Sequence, residues 1–567
     1  MISEAHLSNL SRLRFLDLSY NPLALNLSFD WLPPFKLDII HLSGCKLGPH
    51  FPEWLKTQNN CSELDISGAR ISDVIPNWFW ELSPRLSLLN LSYNQIDGLL
   101  PNLSVKFQDS IKIDLSSNNF CGAVMPSLFP NVSLLDLSKN KFNGSVSFLC
   151  KISGESLLHL DLSDNLLLGD LPNCWMHLKK LSVFHLQNNK LSGNIPSSMG
   201  SLFSIYSLRL RNNDFTGELP SSFQNCTSLT VLDLGENQFS GIIPAWIGDS
   251  LLDLVVLSLR DNQFYGTIPQ SLCYLSHIQI LDLSLNNISG NIPKCINNFT
   301  TMAQANLGVE GKRVFLYSNS IANFYWNSHG DLFYEMVEDA FLGWKGKELE
   351  YKNAVRLVKS LDLSSNKLTG EIPSEITCLE GLVGLNLSRN SMKGSIPSNI
   401  GRMRSLDFLD LSMNHLAGEI PASLSQINRL GVLDLSCNNL SGKIPRGTQL
   451  QGYNASVYMG NPQLCGLPLL KRCPGDEVTQ DPPSTGGNED NRNTQGDEAV
   501  LGIFPWYYYG MGLGFAVGFF GVCGTLVLKS SWRNAYFEFL NSMKDRIYVM
   551  LAIYLARFWR RLKNHRY

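Results

Sequence analysis

Short stretches in which leucine or isoleucine occupies alternate positions recur along the chain, and most close on an asparagine. LDLSYN ends at Asn21, IDLSSN at Asn118, LDLSKN at Asn140 and LDLSDN at Asn165. Other members end at Cys45, Ala69, Asn94, Asn189, Asn213, Asn237, Asn262 and Asn286, and four more at Asn366, Asn390, Asn414 and Asn438. The steps are 22 to 25 residues, except for one of 80 between Asn286 and Asn366. A period of two predicts a strand with two inward leucines, such as Leu16 and Leu18 or Leu361 and Leu363. The residues between and after them face outward. The closing asparagine can satisfy backbone groups where the chain turns inside a stack. Cys45 is an accepted substitute, whereas Ala69 offers no side-chain hydrogen bond and predicts a less well tied coil.

Sixteen units at one period form the leucine-rich repeat pattern. They predict an α/β solenoid with a curved parallel β-sheet on its concave face. At about 4.8 Å per strand, sixteen coils make a rod roughly 70 Å long. A stack has no fixed domain count, so the 567 residues do not translate into four domains. Many units continue as LSGNIP (191–196), FTGELP (215–220), LTGEIP (368–373), LAGEIP (416–421) or LSGKIP (440–445). Glycine permits a tight turn there, and proline fixes the backbone where no ladder donor is needed. These repeats resemble the plant extracellular class of leucine-rich repeats.

The pattern divides the chain into repeats over 1–302, an island insertion over 303–356 and repeats over 357–446. Ten aromatics crowd into 303–352, among them Tyr325, Trp326 and Trp344. They predict an island that packs onto the rod or contacts a ligand. The island exit (343–373) is similar to that of plant leucine-rich-repeat receptor-like proteins, closest to the subgroup that includes receptors for fungal xylanase. The segment 447–473 resembles that family's C-terminal cap, and the resemblance implies a Cys465–Cys473 disulfide. Cys150 with Cys174, and Cys273 with Cys295, fall nearly in phase on neighbouring coils. Each pair can be bridged or remain as buried thiols.

Residues 474–500 carry seven acids and one base and read as a solvated linker. Residues 501–528 carry no charge and predict a single transmembrane helix. Within it Gly510, Gly514 and Gly518 form a double GxxxG suited to helix pairing. The tail, 529–567, holds nine bases and two acids, so the near-neutral total of −3 is −10 before the tail and +7 in it. That split places the tail in the cytosol and the repeats outside, a single-pass type I arrangement in the plasma membrane. Thirteen N-x-S/T sequons precede the span and none follows it. Asn26, Asn131, Asn225, Asn298 and Asn454 are the chosen glycan acceptors. Tyr536 and Tyr548 each open a Y-x-x-Φ sorting pattern.

No catalytic constellation is visible, and a 39-residue tail is too short for a kinase domain. His41, His159, His177 and His185 stand alone at no metal or triad spacing, and no cofactor is called for. The charge balance gives no basic footprint for nucleic acid. Most coils present Asp and Ser outward, as at Asp410 and Ser412. Four consecutive coils instead present His185/Gln187, Arg209/Arg211, Asp233/Gly235 and Ser258/Arg260. Arg209, Arg211 and Arg260 thus form a candidate basic patch for an acidic ligand surface. The resemblance implies perception of an extracellular protein or peptide, of microbial origin in defence, with signalling through a partner leucine-rich-repeat receptor kinase. The alternatives are a developmental co-receptor for an endogenous peptide and a wall-enzyme inhibitor. The repeats start at once after Met1, without signal peptide or cysteine cap, which reads as a truncated receptor.

Overall fold

The computed structural model describes residues 1–81, 85–101, 110–124, 131–152, 154–304 and 358–474, together with four short strands between 324 and 351 by backbone alone. Sixteen strands join in one parallel sheet in strict chain order, from Phe15–Asp17 to Val432–Asp434. Inward leucines such as Leu64, Leu160, Leu232 and Leu361 are fully buried. The insertion does not disturb this sheet. Ile280–Asp282 pairs directly with Ser360–Asp362, Leu281 opposite Leu361. Lys359 Nζ donates to Gln304 O at 2.6 Å and ties the two ends of the insertion together.

The asparagine ladder is the main polar element of the interior. Asn213 Nδ2 donates to the carbonyls of Leu186, Leu210 and Arg211 at 3.0, 3.0 and 3.2 Å. Its Oδ1 accepts from Leu191 N at 3.0 Å. The residue before the asparagine sits in the left-handed region, for example Lys139 at φ 54° and Glu236 at φ 51°. That conformation costs a non-glycine residue about 1 kcal/mol, and the buried amide bonds offset it. Cys45 Sγ takes over part of the duty by donating to Leu18 O at 3.2 Å. Ala69 is fully buried and brings no side-chain donor. Asn461 in the cap continues the ladder as one more rung, donating to Leu435 O at 2.9 Å.

Two layers differ from the sequence reading. The LxGxIP segments are strands as well as turns: they build a second parallel sheet of ten strands beside the first. Gly217 lies there at φ 79°, and a Cβ would stand 2.4 Å from Asn194 Oδ1. The helical layer expected of an α/β fold is reduced to short single turns, most of them 3₁₀, with α-helical turns at Trp246–Ser250 and Thr300–Ala303. Ser197–Ser201, Ser221–Asn225 and Gln270–Tyr274 each follow a proline that starts the turn. Five residues per coil leave no room for a longer helix.

All three cysteine pairs are bridged: Cys150–Cys174, Cys273–Cys295 and Cys465–Cys473. The first two staple neighbouring 3₁₀ turns. The third closes the cap, whose strand Gln463–Cys465 pairs with Asn439–Lys443. Among the described residues no helix is long and apolar enough to cross a membrane. The predicted span with Gly510, Gly514 and Gly518, the acidic linker beyond Pro474, and the tail with Tyr536 and Tyr548 lie outside the described residues.

Candidate functional site: the concave face

Each outward position of the main sheet lines up with its equivalent in the next coil. One column runs Asn90, Asp114, Asp136, Asp161, His185, Arg209, Asp233, Ser258, Asp282 and Asp362 in continuous register. In most coils the first outward residue is committed to the backbone. Asp114 Oδ1 accepts from Ser116 N at 2.9 Å, and the same bond recurs at Asp136, Asp161, Asp282, Asp362, Asp410 and Asp434. The repeated Asp-x-Ser is therefore a local bracket that shapes the strand exit, not a pair of groups held out for a ligand. Asn90 and Asn386 supply the same acceptor.

The coils of His185, Arg209 and Ser258 do not make this bracket. Neither does His41, which pairs with Glu63 Oε2 at 3.2 Å. Gly235 keeps it, its N donating to Asp233 Oδ1 at 3.1 Å. His185 Nδ1 meets Asp161 Oδ2 at 3.3 Å and its Nε2 meets Ser207 Oγ at 3.0 Å. A Ser–His–Asp chain thus spans three coils, although the three residues lie 22 and 24 positions apart. Sequence spacing hides it, and the coil period is the signal that would have found it. Ser207 has 0% exposure, so its hydroxyl cannot meet a substrate, and the chain of bonds orients side chains.

These contacts set opposite proton affinities along one column. Burial pushes the Asp114 carboxyl up to about 6. Burial, and then the charges of Asp114 and Asp161, hold Asp136 well above the ordinary range. Burial acts upward on Asp161 too, but the hydrogen bond and charge of His185 outweigh it and bring Asp161 down to about 2.

Arg211 and Arg260 already have partners. Arg211 Nη2 donates to Glu236 Oε1 at 2.6 Å. Arg260 Nη1 donates to Ser284 Oγ at 2.8 Å and lies 3.7 Å from Asp282 Oδ2. Arg209 and Arg211 are only 6% and 3% exposed, so the patch offers less free charge than the sequence implies. Gly235 leaves a notch between them: a Cβ there would stand 3.2 Å from Arg211 Nη1, Asp233 Oδ1 and Ser258 Oγ alike.

The island contributes two antiparallel hairpins. In one, Tyr325 pairs with Phe333 and Trp326 with Leu332. In the other, Trp344 pairs with Lys347. Asn26, Asn131, Asn225, Asn298 and Asn454 are all exposed, as a glycan acceptor must be, whereas the sequon residue Asn90 is buried. Among the described residues no group of His, Cys, Asp and Glu is arranged to hold a metal ion.

Comparison with known proteins follows the same lines. Family models described as leucine rich repeat match residues 203–264 and 356–416, and shorter single-repeat matches cover 156–178, 180–202, 277–299 and 429–449. The chain is 52% identical over 563 residues to Receptor-like protein EIX2 of Solanum lycopersicum, covering 99% of this chain and 54% of the relative. It is 50% identical over 567 residues to Receptor-like protein EIX1 of the same plant, covering 100% and 54%. The chain spans about half the length of these curated relatives. Among solved structures, the ectodomain of the Arabidopsis receptor kinase HAESA with an extended IDA peptide hormone ligand matches at 28% identity and a TM-score of 0.62, over 83% of this chain and 73% of that one. HAESA in complex with IDA and the co-receptor SERK1 matches at 27% identity and a TM-score of 0.53, over 83% and 82%. With its repeat sheet, its matching repeat models and relatives half-identical along almost its whole length, the chain belongs to the plant leucine-rich-repeat receptor-like proteins, near the xylanase-receptor group.

Proposed function

We propose that this protein is a plasma-membrane receptor-like protein that binds an extracellular protein or peptide on its concave face. The ligand is microbial and the response is defence. Binding, rather than catalysis, is its task. Signal passes to a partner receptor kinase through the membrane helix at Gly510, Gly514 and Gly518, and through the last four repeats. The observation that carries the reading is the loss of the Asp-x-Ser bracket in the coils of His185, Arg209 and Ser258. Those coils give up a backbone bond that most others make and place Arg209, Arg211 and Arg260 there instead. The island aromatics Tyr325, Trp326 and Trp344 lie on the chain segment that joins the same face at Ser360.

The HAESA structures, with their peptide hormone, favour a second reading in which the ligand is an endogenous peptide. Pull-down from microbial culture filtrate, with a plant apoplastic extract as the parallel arm, separates the two. Replacing Arg209, Arg211 and Arg260 together by Ala is expected to abolish capture from whichever arm holds the ligand. Undiminished capture by the folded triple variant rejects the site.

A further inference from the structure

The second sheet turns a largely polar face to solvent in its middle coils. Just before the left-handed glycine, Tyr265 stands where the three preceding coils carry Ser192, Thr216 and Ser240 and the two following carry Ser289 and Thr369. Just after the glycine, Ile242 stands where the neighbouring coils carry Asp170, Asn194, Glu218, Thr267, Asn291 and Glu371. The nearest other large apolar residue in these two columns is Leu168, four coils before Tyr265. Tyr265 and Ile242 are 52% and 61% exposed, and they lie directly opposite each other on adjacent strands.

On its other side Tyr265 lies opposite Asn287. Strand alternation buries Phe264 and Ile288 and turns Tyr265 and Asn287 outward. Asn287-Ile288-Ser289 is an N-x-S sequon. Asn287 is exposed, and among the described residues none bonds its amide or the Tyr265 ring and hydroxyl. The line Ile242–Tyr265–Asn287 crosses three adjacent strands, two spacings or about 10 Å. That is the reach of the first two sugars of an N-linked chain.

We infer that Asn287 carries an N-linked oligosaccharide whose proximal N-acetylglucosamines lie back along this sheet, the first on Tyr265 and the second on Ile242. A lipid-linked pyrophosphate oligosaccharide supplies the sugar. The Asn287 amide nitrogen bonds its anomeric carbon and loses one proton, and the lipid pyrophosphate departs. Each sugar ring presents C–H groups on one face, which the electron-rich face of Tyr265 attracts. Such a contact is weak between free molecules, but attachment on the next strand holds the sugar at an effective concentration in the millimolar range. The inference rests on the repeats lying outside the cell. Asn439 provides a comparison within the chain: it opens a sequon at the same strand position but lies opposite Ala417.

The full chain expressed in plant cells, with its glycans held in the high-mannose form, tests it. Glycopeptide mass spectrometry reads occupancy at each sequon, then the rate at which an endoglycosidase cuts between the two proximal sugars of the native protein. Asn287 is expected to be occupied and to be cut about tenfold more slowly than Asn439 and Asn225. Tyr265→Ser, which installs the side chain of neighbouring coils, is expected to bring the rates together, whereas Tyr265→Phe keeps the ring and the slow rate. Tyr93→Ser, at a 59% exposed position in a distant coil, leaves the rate unchanged. An empty Asn287 beside occupied Asn225 and Asn298, an Asn287 glycan cut as fast as the others, or a slow rate that survives Tyr265→Ser would overturn the inference. Emptiness at every sequon would overturn the placement of the repeats outside the cell, and the inference with it.

Discussion

Two neighbouring stretches of the concave face share one backbone and behave differently. From Asp114 to Asp161 the brackets are intact and three carboxylates stack in register. From His185 to Arg260 most brackets are gone and four bases, His185, Arg209, Arg211 and Arg260, stand with one acid, Asp233. In the first stretch the repeat solves a backbone problem, at the cost of crowding like charges in a buried place. In the second the side chains bond one another across coils. Departures from the repeat, rather than the repeat itself, are therefore where a ligand surface can be written. His185 is the boundary, because its hydrogen bond and charge do most to bring Asp161 down to about 2, with Ser163 and His159 adding to it.

Removing that boundary gives the largest effect. His185→Ala leaves Asp161 buried beside Asp136 without its base. Breaking a buried pair in this way costs about 3–5 kcal/mol, read by urea unfolding at pH 7. The cost is expected to shrink as pH falls toward 4, where the orphaned carboxyl takes up a proton.

Relieving the acidic stretch gives the opposite sign. The Asp114 carboxyl is raised to about 6, so the native chain holds its proton more tightly than the unfolded chain does. Its contribution is fully present below about pH 4, the unfolded carboxylate range, and is lost as pH rises to about 6. Asp114→Asn keeps the acceptor for Ser116 N, as Asn90 does for Ser92 at 3.0 Å. It is expected to stabilise by up to about 3 kcal/mol at pH 7, at 1.36 kcal/mol per pH unit, and to change nothing at pH 3.5. Equal stabilisation at both pH values contradicts the charge argument.

The smallest effect sits in the notch. Gly235→Ala puts a methyl against three flexible side-chain ends and costs about 1 kcal/mol. In an Arg211→Ala background that cost is expected to fall, because one of the three crowding groups is gone while Asp233 and Ser258 remain. A double-mutant cycle by chemical denaturation measures it.

Much of the stack was legible in the sequence, because a coil repeats its inward leucines and its asparagine at one period. Leu281 and Leu361 pair across the insertion as that period demands. The second sheet was not legible: each of its strands offers one inward residue beside a left-handed glycine, as at Phe215 and Gly217, which reads as a turn. The Asp161–His185–Ser207 chain escaped because its contacts run between coils. Outward Asp and Ser read as available groups until the bracket at Asp410 and Ser412 showed them bonded to their own strand. The arginines were legible by residue type, while their pairing with Glu236, Ser284 and Asp282 depends on column register.

The central claim is that the coils without brackets exist for binding rather than stability. A variant with brackets restored, carrying Asp at 185, 209 and 258 and Ser at 187, 211 and 260, tests it in a single preparation by urea unfolding at pH 5 and capture from the filtrate and extract. The account predicts a solenoid that still unfolds cooperatively, less stable than the parent by at least the cost of the lost His185 contact, about 3–5 kcal/mol, and that captures nothing. A folded variant that still captures the parent's ligand would contradict it.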